Sequence, residues 1–364
     1  LSCHRPACRL AVIRECATRR YHVRVLTAID LDRLIADTEQ EMLGVIARHE
    51  DPRTRELYEM VRYHMGLDSD APRGKRMRPL IGLLAYQSIA GDHAKALPGA
   101  AAVEMGHNFS LVHDDIEDNG TERRHRPALW TVWGKPQAIN TGDALFTLSR
   151  MALYRLQDEG FDDARILRLM RLYDETCLDL CEGQFMDIWT SEHDEWMSVD
   201  YYFDMIGRKT AALIAGSAEA GAVLATEDER IISAYRGFGW ALGLAFQLND
   251  DLLGIWGDQA LTGKETSDIA ERKKTLPLIY ALAEATGEDR ERLQAILAQS
   301  DDAPTPDEVA EVLVILERVG AEDYTRARAR EYRDEAIAQL ESVGTVDQES
   351  MARLADVVRG VISA

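Results

Sequence analysis

The chain has 364 residues, 46% hydrophobic but only 7% aromatic, with a formal net charge of −21. So acidic a chain argues against nucleic acid as a partner, because a phosphate backbone selects basic surfaces. It leaves room for a small anion bridged to carboxylates by a divalent cation. No run reaches the roughly eighteen apolar residues of a membrane span, and the five cysteines form no secreted disulfide framework, so a soluble, cytoplasmic protein is expected.

Residues 1–26 stand apart, with Arg5, Arg9, Arg14, Arg19, Arg20 and Arg24 against the single acid Glu15. The segment reads as a targeting peptide, as a metal site from Cys3, His4, Cys8 and Cys16 whose spacing fits no zinc pattern, or as an extension without a fold. The last is the expectation. From Thr27 onward, apolar residues recur every three or four positions in Leu31–Ile46, Leu57–Met65, Met151–Leu172, Ile231–Ile255 and Val309–Val319. Pro and Gly clusters punctuate the chain at 71–74, 126–127, 134–136, 257–263 and 302–306. There is no useful strand alternation and no repeat. These features predict an all-α, single-domain bundle of ten or more helices over residues 27–364, completed by the acidic stretch Asp301–Ala364. Cys177 and Cys181, four apart, read as core filling.

The strongest local signal is His113-Asp114-Asp115-Ile116-Glu117-Asp118, approached through the apolar stretch Ala96–Val112. On a helix Asp114 and Asp118 share one face, and the same stripe runs back through Ser110 to His107. Unpaired buried carboxylates are costly, so the stripe is expected to line a cavity and hold a cation. Hard oxygen ligands used with water suit Mg²⁺ shared with phosphates. The plainer reading is an acidic helix end in solvent. A second acidic site, Phe246-Gln247-Leu248-Asn249-Asp250-Asp251, lies in another apolar helix; it reads as a partner metal site or as a helix-end cap. Positive charge comes from Lys75, Arg76 and Arg78 at a helix entry, from Arg123 and Arg124, from Lys209 beside Thr210, and from Lys264, Lys273 and Lys274. Singly each is a surface residue. Together with the carboxylates they point to two diphosphates held side by side.

These motifs, in this order, resemble the trans-isoprenyl diphosphate synthase (polyprenyl synthetase) family. The match runs through Gly74–Pro79, Asp114–Asp118, Arg123-Arg124, Gly142–Leu145, Gly183-Gln184, Lys209-Thr210, Phe246–Asp251 and Lys273–Pro277. The resemblance implies a deep central cavity and a prenyltransferase joining isopentenyl diphosphate head to tail to allylic diphosphates. It also implies about three Mg²⁺ ions per active site, with Mn²⁺ as a substitute, and a homodimer. Asp114, Asp118 and Asp250 would hold metal, with Asp115 and Asp251 supporting. Arg123, Lys209, Lys264 and Gln247, with Gln184 and Thr210 nearby, would hold the allylic partner. Lys75, Arg78, His107 and Arg124 would hold isopentenyl diphosphate, and Lys273 would reach the diphosphates from the far side. The chain departs from the family where Gly254 replaces a third aspartate, where His125 replaces a glycine, and in the one-residue-short segment 264–268. Asp258 is another turn away from Gly254.

Product length in such enzymes depends on pocket depth. Ser110 is small and Phe109 large, resembling synthases of the C20 product geranylgeranyl diphosphate. Helix geometry places Ser110 beneath Asp114 and turns Phe109 about 100° aside. Alternatives are a C15 or longer-chain synthase, a class I terpene cyclase, which has no use for Lys75, Arg78, His107 and Arg124, and a non-catalytic synthase subunit, which has no use for an intact first acidic motif.

Overall fold

The computed structural model describes residues 31–68, 74–193, 196–257, 267–298, 302–344 and 347–361. The expectations for residues 1–26, Asp258 and Lys264 lie outside this set. The described chain is helical almost throughout, as its periodicity predicts. It runs α1 (31–49), α2 (Arg55–Met65), α3 (Met77–Ala90), α4 (Leu97–Glu117), α5 (Leu129–Trp133), α6 (Lys135–Tyr154), α7 (Asp163–Glu192), α8 (Val199–Ile206), α9 (Ala212–Ala225) and α10 (Glu229–Trp256). The C-terminal part adds α11 (Ser267–Ala270), α12 (Leu276–Glu284), α13 (Gly287–Leu297), α14 (Pro306–Val319), α15 (Ala321–Glu341) and α16 (Gln348–Val361).

Two helices are apolar nearly all round and therefore sit inside. In α4, Ala100, Ala101, Ala102, Met105 and Val112 are buried, and α9 buries Leu213 through Ser217 and Ala220 through Leu224. Around them pack α3, α6, α7 and α10, and α15 lies along α10. Ile255, Leu278, Leu293, Ile296, Val312 and Ile315 form a second apolar cluster that seats α12–α14. From the C-terminal stretch, Ala336, Leu340, Leu354 and Val358 pack into the main apolar core.

Two details differ from the sequence reading. The periodic stretch Met151–Leu172 is two helices, not one. A 3₁₀ turn at Arg155–Gln157 ends α6, and Asp162 starts α7 by accepting a hydrogen bond from the Arg165 backbone N–H at 2.9 Å. The apolar period carries across the break, which hides it. There is also a small antiparallel hairpin, Glu122–Arg123 with Arg126–Pro127. Its turn residues Arg124 and His125 both have positive φ, 54° and 59°. That is the conformation of a type I′ turn, which glycine adopts freely and a side-chain-bearing residue adopts at a cost. It explains why glycine is the expected residue at 125.

Candidate active site

The last turn of α4 divides its acids by direction. Asp115 faces inward, only 3% exposed, and its Oδ1 accepts from Arg123 Nε and Nη2 at 2.7 and 2.6 Å. This contact fixes the direction of the Arg123 guanidinium. Asp114 and Asp118 face outward with Glu117. Burial raises the Asp114 carboxyl to about 6, with Asp118 and Glu117 pushing the same way and Lys209 opposing. Asp118 is raised for the same first reason, with Asp187 and Glu117 adding to it.

Facing this rim is a backbone irregularity. Between α8 and α9 the chain makes a π turn, Gly207–Ala211, that carries Lys209 and Thr210; such turns recur at functional sites. It nests against α7 because residue 183 is glycine: a Cβ there would lie 2.8 Å from the Lys209 Cα and closer still to its backbone nitrogen. Lys209 Nζ then reaches Asp187 at 2.5 Å. Burial works against the ammonium, but Asp187, Asp114 and Asp118 outweigh it, and the Lys209 pKa is raised. One turn away on α7, Gln184 donates to Glu117 at 2.8 Å. Thr210 donates to Gln247 on α10 at 3.0 Å, and Gln247 donates to Asp251 at 3.1 Å.

The second acidic pair is also split. Asp250 is exposed. Asp251 is buried and accepts from Gln247, from the Tyr202 hydroxyl and from the Leu276 backbone N–H at 2.9 Å. It ties α10 to α8 and to the start of α12. Burial raises its carboxyl to about 6.

The basic residues near α3 separate in the same manner. Arg76 is a buried strut between Glu39 and Glu104, at 3.1 and 2.8 Å, and donates to the Met65 carbonyl at 2.6 Å. Arg78, two positions on, donates to His107 Nε2 at 2.9 Å. Burial, then Arg78 and Arg124, hold the His107 pKa well below its ordinary value, so the imidazole is neutral. Arg124 donates to the His64 carbonyl and to Asn108 Oδ1 at 3.1 and 3.2 Å, and Gly74 lies against its guanidinium. His64 is likewise kept neutral, with a pKa of about 3, by burial and then Arg124. Lys75 is exposed and lines neither of the two clefts described next.

Two clefts meet at Lys209 and Thr210. A polar one, of about 610 Å³, is lined by Asp118, Asp187, Gln247, Lys273 and Lys274 among others. A more apolar one, of about 380 Å³, runs beneath Asp114 past Ser110, Phe109, Leu180, Phe185 and Leu213. Phe109 thus reaches the cavity despite its offset from Ser110 around the helix. Cys181 borders this cavity and is exposed, so only Cys177 fills the core; both thiols are free.

Sequence reasoning passed over Asp187, although Gly183-Gln184-x-x-Asp187 places it one turn from Gln184 on the α7 face toward the cleft. It also missed Glu117 as the partner of Gln184, and His64 and Asn108 as supports of Arg124. Those two lack any local sequence signal, because tertiary packing alone brings them there.

A helical bundle whose acidic and basic rims close over an apolar cavity defines a prenyl diphosphate enzyme. The chain matches the Polyprenyl synthetase family over residues 55–316 and belongs to it. It is similar to a short chain isoprenyl diphosphate synthase of Methanothermobacter thermautotrophicus, 39% identical over 78% of this chain and 86% of that one. It is also similar to a (2E,6E)-farnesyl diphosphate synthase of Mycobacterium tuberculosis, 36% identical over 90% of each. A solved structure of geranylgeranyl pyrophosphate synthetase from Pyrococcus horikoshii superposes with a TM-score of 0.82 and 28% identity, covering 92% of this chain and 98% of that one. The chain is therefore a prenyltransferase that condenses isoprenyl diphosphates. No described helix is long and apolar enough to cross a membrane.

Proposed function

We propose that this enzyme makes a C20 product, geranylgeranyl diphosphate, from isopentenyl diphosphate and shorter allylic diphosphates, using Mg²⁺. The observation that supports this reading is a largely apolar cavity of about 380 Å³ lined by Asp114, the small Ser110 and the ring of Phe109. The acids suit a cation. Asp114 and Asp118 are both raised by burial and by neighbouring carboxylates, with Lys209 as a nearby offset. Among the described residues no three acidic, His or Cys side chains could hold a metal unaided. Mg²⁺ commonly takes only one or two carboxylates, completing its shell with water and substrate phosphate oxygens. Asp114 and Asp118 would hold it from α4 and Asp250 from α10. When bound, it would neutralise charge developing on the departing diphosphate.

The protein's own groups do the rest. Arg123, aimed by Asp115, and Lys209, aimed by Asp187, hold the allylic diphosphate at the cavity mouth. Arg78, Arg124 and neutral His107 hold isopentenyl diphosphate beside it. The allylic C–O bond breaks, and the isopentenyl double bond, held close and aligned, attacks the resulting cation. A proton then passes to the released diphosphate, restoring an alkene. Leu180, Phe185 and Leu213 keep water away from the cation. With labelled isopentenyl diphosphate and C5, C10 or C15 primers, the expected product after dephosphorylation is a linear C20 alcohol. Arg124→Ala is expected to raise the KM for isopentenyl diphosphate at least tenfold and to leave the allylic KM nearly unchanged. A C15 end product would make the chain a farnesyl synthase. Cyclic hydrocarbon formed without isopentenyl diphosphate would make it a cyclase.

The same reading includes a homodimer. On α7, Leu178, Phe185 and Trp189 are 60%, 62% and 45% exposed and fall along one stripe at spacings of seven and four. Phe185 also walls the apolar cavity, so a second copy seated on this face would close the flank of the product chamber. Leu178→Glu with Trp189→Glu is expected to halve the sedimentation mass. An unchanged mass places any interface elsewhere.

A further inference from the structure

The second acidic motif lacks its third carboxylate, because residue 254 is glycine, yet the space is filled. A Cβ built on Gly254 would overlap the carboxylate of Asp268, contacting both oxygens and the carbon between them. Asp268 stands on α11 and is 3% exposed, and its Oδ2 is buried without a hydrogen-bond partner. Gly254 lies one turn beyond Asp250 on α10, so the Asp268 carboxylate occupies the next place on that acidic face. Its local chain is fixed: the Lys273 backbone N–H donates to the Asp268 carbonyl at 2.8 Å, and Lys273 Nζ lies 3.9 Å from Oδ1. Burial first, then Asp251, Asp187 and Asp268, hold the Tyr202 phenol protonated. Asp268 thus stands behind the wall of the polar cleft, against Gly254 and next to Lys273, which lines it, and a buried carboxylate with an unmatched oxygen calls for a cation or a cation's water.

We propose that Asp268 is the third carboxylate of the second acidic cluster, delivered from α11 into the gap left by Gly254, and that it helps hold a divalent cation–diphosphate unit beside Asp250. It acts as a positioning residue through the cation's outer oxygens and through Lys273. The proposal rests on the metal-dependent reading above. The test uses the full chain and titrates Mn²⁺ with inorganic pyrophosphate by calorimetry, independently of turnover. Asp268→Asn keeps the shape and removes the charge, and is expected to weaken binding about ten- to a hundredfold, as loss of outer partners of metal sites does. Gly254→Asp alone is expected to destabilise the fold by overlap. Combined with Asp268→Ala, it returns the acid to α10 and is expected to restore binding to within about threefold of wild type. Wild-type affinity in Asp268→Asn overturns the proposal, as does a folded double variant that binds no better than Asp268→Ala. Should Asp268→Asn not fold, the double variant decides. Loss in Asp250→Asn with none in Asp268→Asn overturns this proposal alone. No loss in either overturns the metal reading with it.

Discussion

Asp114→Ala and Asp118→Ala are each expected to lower kcat/KM by at least about a thousandfold, because charge stabilisation of the leaving group is the dominant part of this chemistry. The two carboxylates end α4 one turn apart, and no other residue of that helix faces the cleft with the same charge except Glu117, which Gln184 engages. The fold is expected to survive, since both side chains point away from the core and removing a raised carboxylate relieves repulsion at the rim. Asp251→Asn should behave in the opposite way. Asp251 is buried and accepts three hydrogen bonds linking α10, α8 and α12. Hydrogen bonds to a charged group are worth about 1.5–3 kcal/mol each, so this variant loses melting temperature more than turnover. Circular dichroism melts beside single-turnover rates separate the two cases. Near-normal rates in a folded Asp114→Ala protein would remove the rim acids from the mechanism.

On the proposed C20 reading, Phe109→Ala is expected to move the main product to C25 and beyond. The Phe109 ring lies edge-on to Phe146 at 5.0 Å, and Phe146 stacks on Tyr173 at 6.4 Å. Removing the first ring opens an apolar space, and a dry apolar space readily accepts hydrocarbon. Each added isoprene unit buries several carbons at about 0.8 kcal/mol per CH₂. The second ring then sets a new limit, so growth should stop again rather than run on. Ser110→Phe does the reverse, placing a ring one turn below Asp114 and ending growth near C15. Both variants keep near-normal rates on C5 and C10 primers, because the rim is untouched. Chromatography of dephosphorylated products decides, and an unchanged C20 product from Phe109→Ala would return that ring to ordinary packing.

The helical class and the first acidic site are legible because each rests on a repeating physical constraint. Apolar spacing marks the helices, and an apolar approach to Asp114 marks a buried rim. What stays hidden depends on direction in short irregular segments. Arg76 and Arg78 are indistinguishable in the sequence, yet one is a strut between Glu39 and Glu104 and the other faces His107. Asp114 and Asp115 divide the same way. The break before Asp162 is masked by a period that continues through it. Asp268 lies fourteen residues past Gly254, and only the docking of α11 against α10 brings the two together.

The aromatic row Phe109–Phe146–Tyr173 draws one ring from each of α4, α6 and α7. On the proposed reading, chain length is thereby set by three touching rings on three helices rather than by the acids or the arginines themselves. On that reading a lineage can drift between shorter and longer products by single substitutions at these rings while the rim stays intact. Two enzymes of this kind can then be close in sequence and still end at different product lengths.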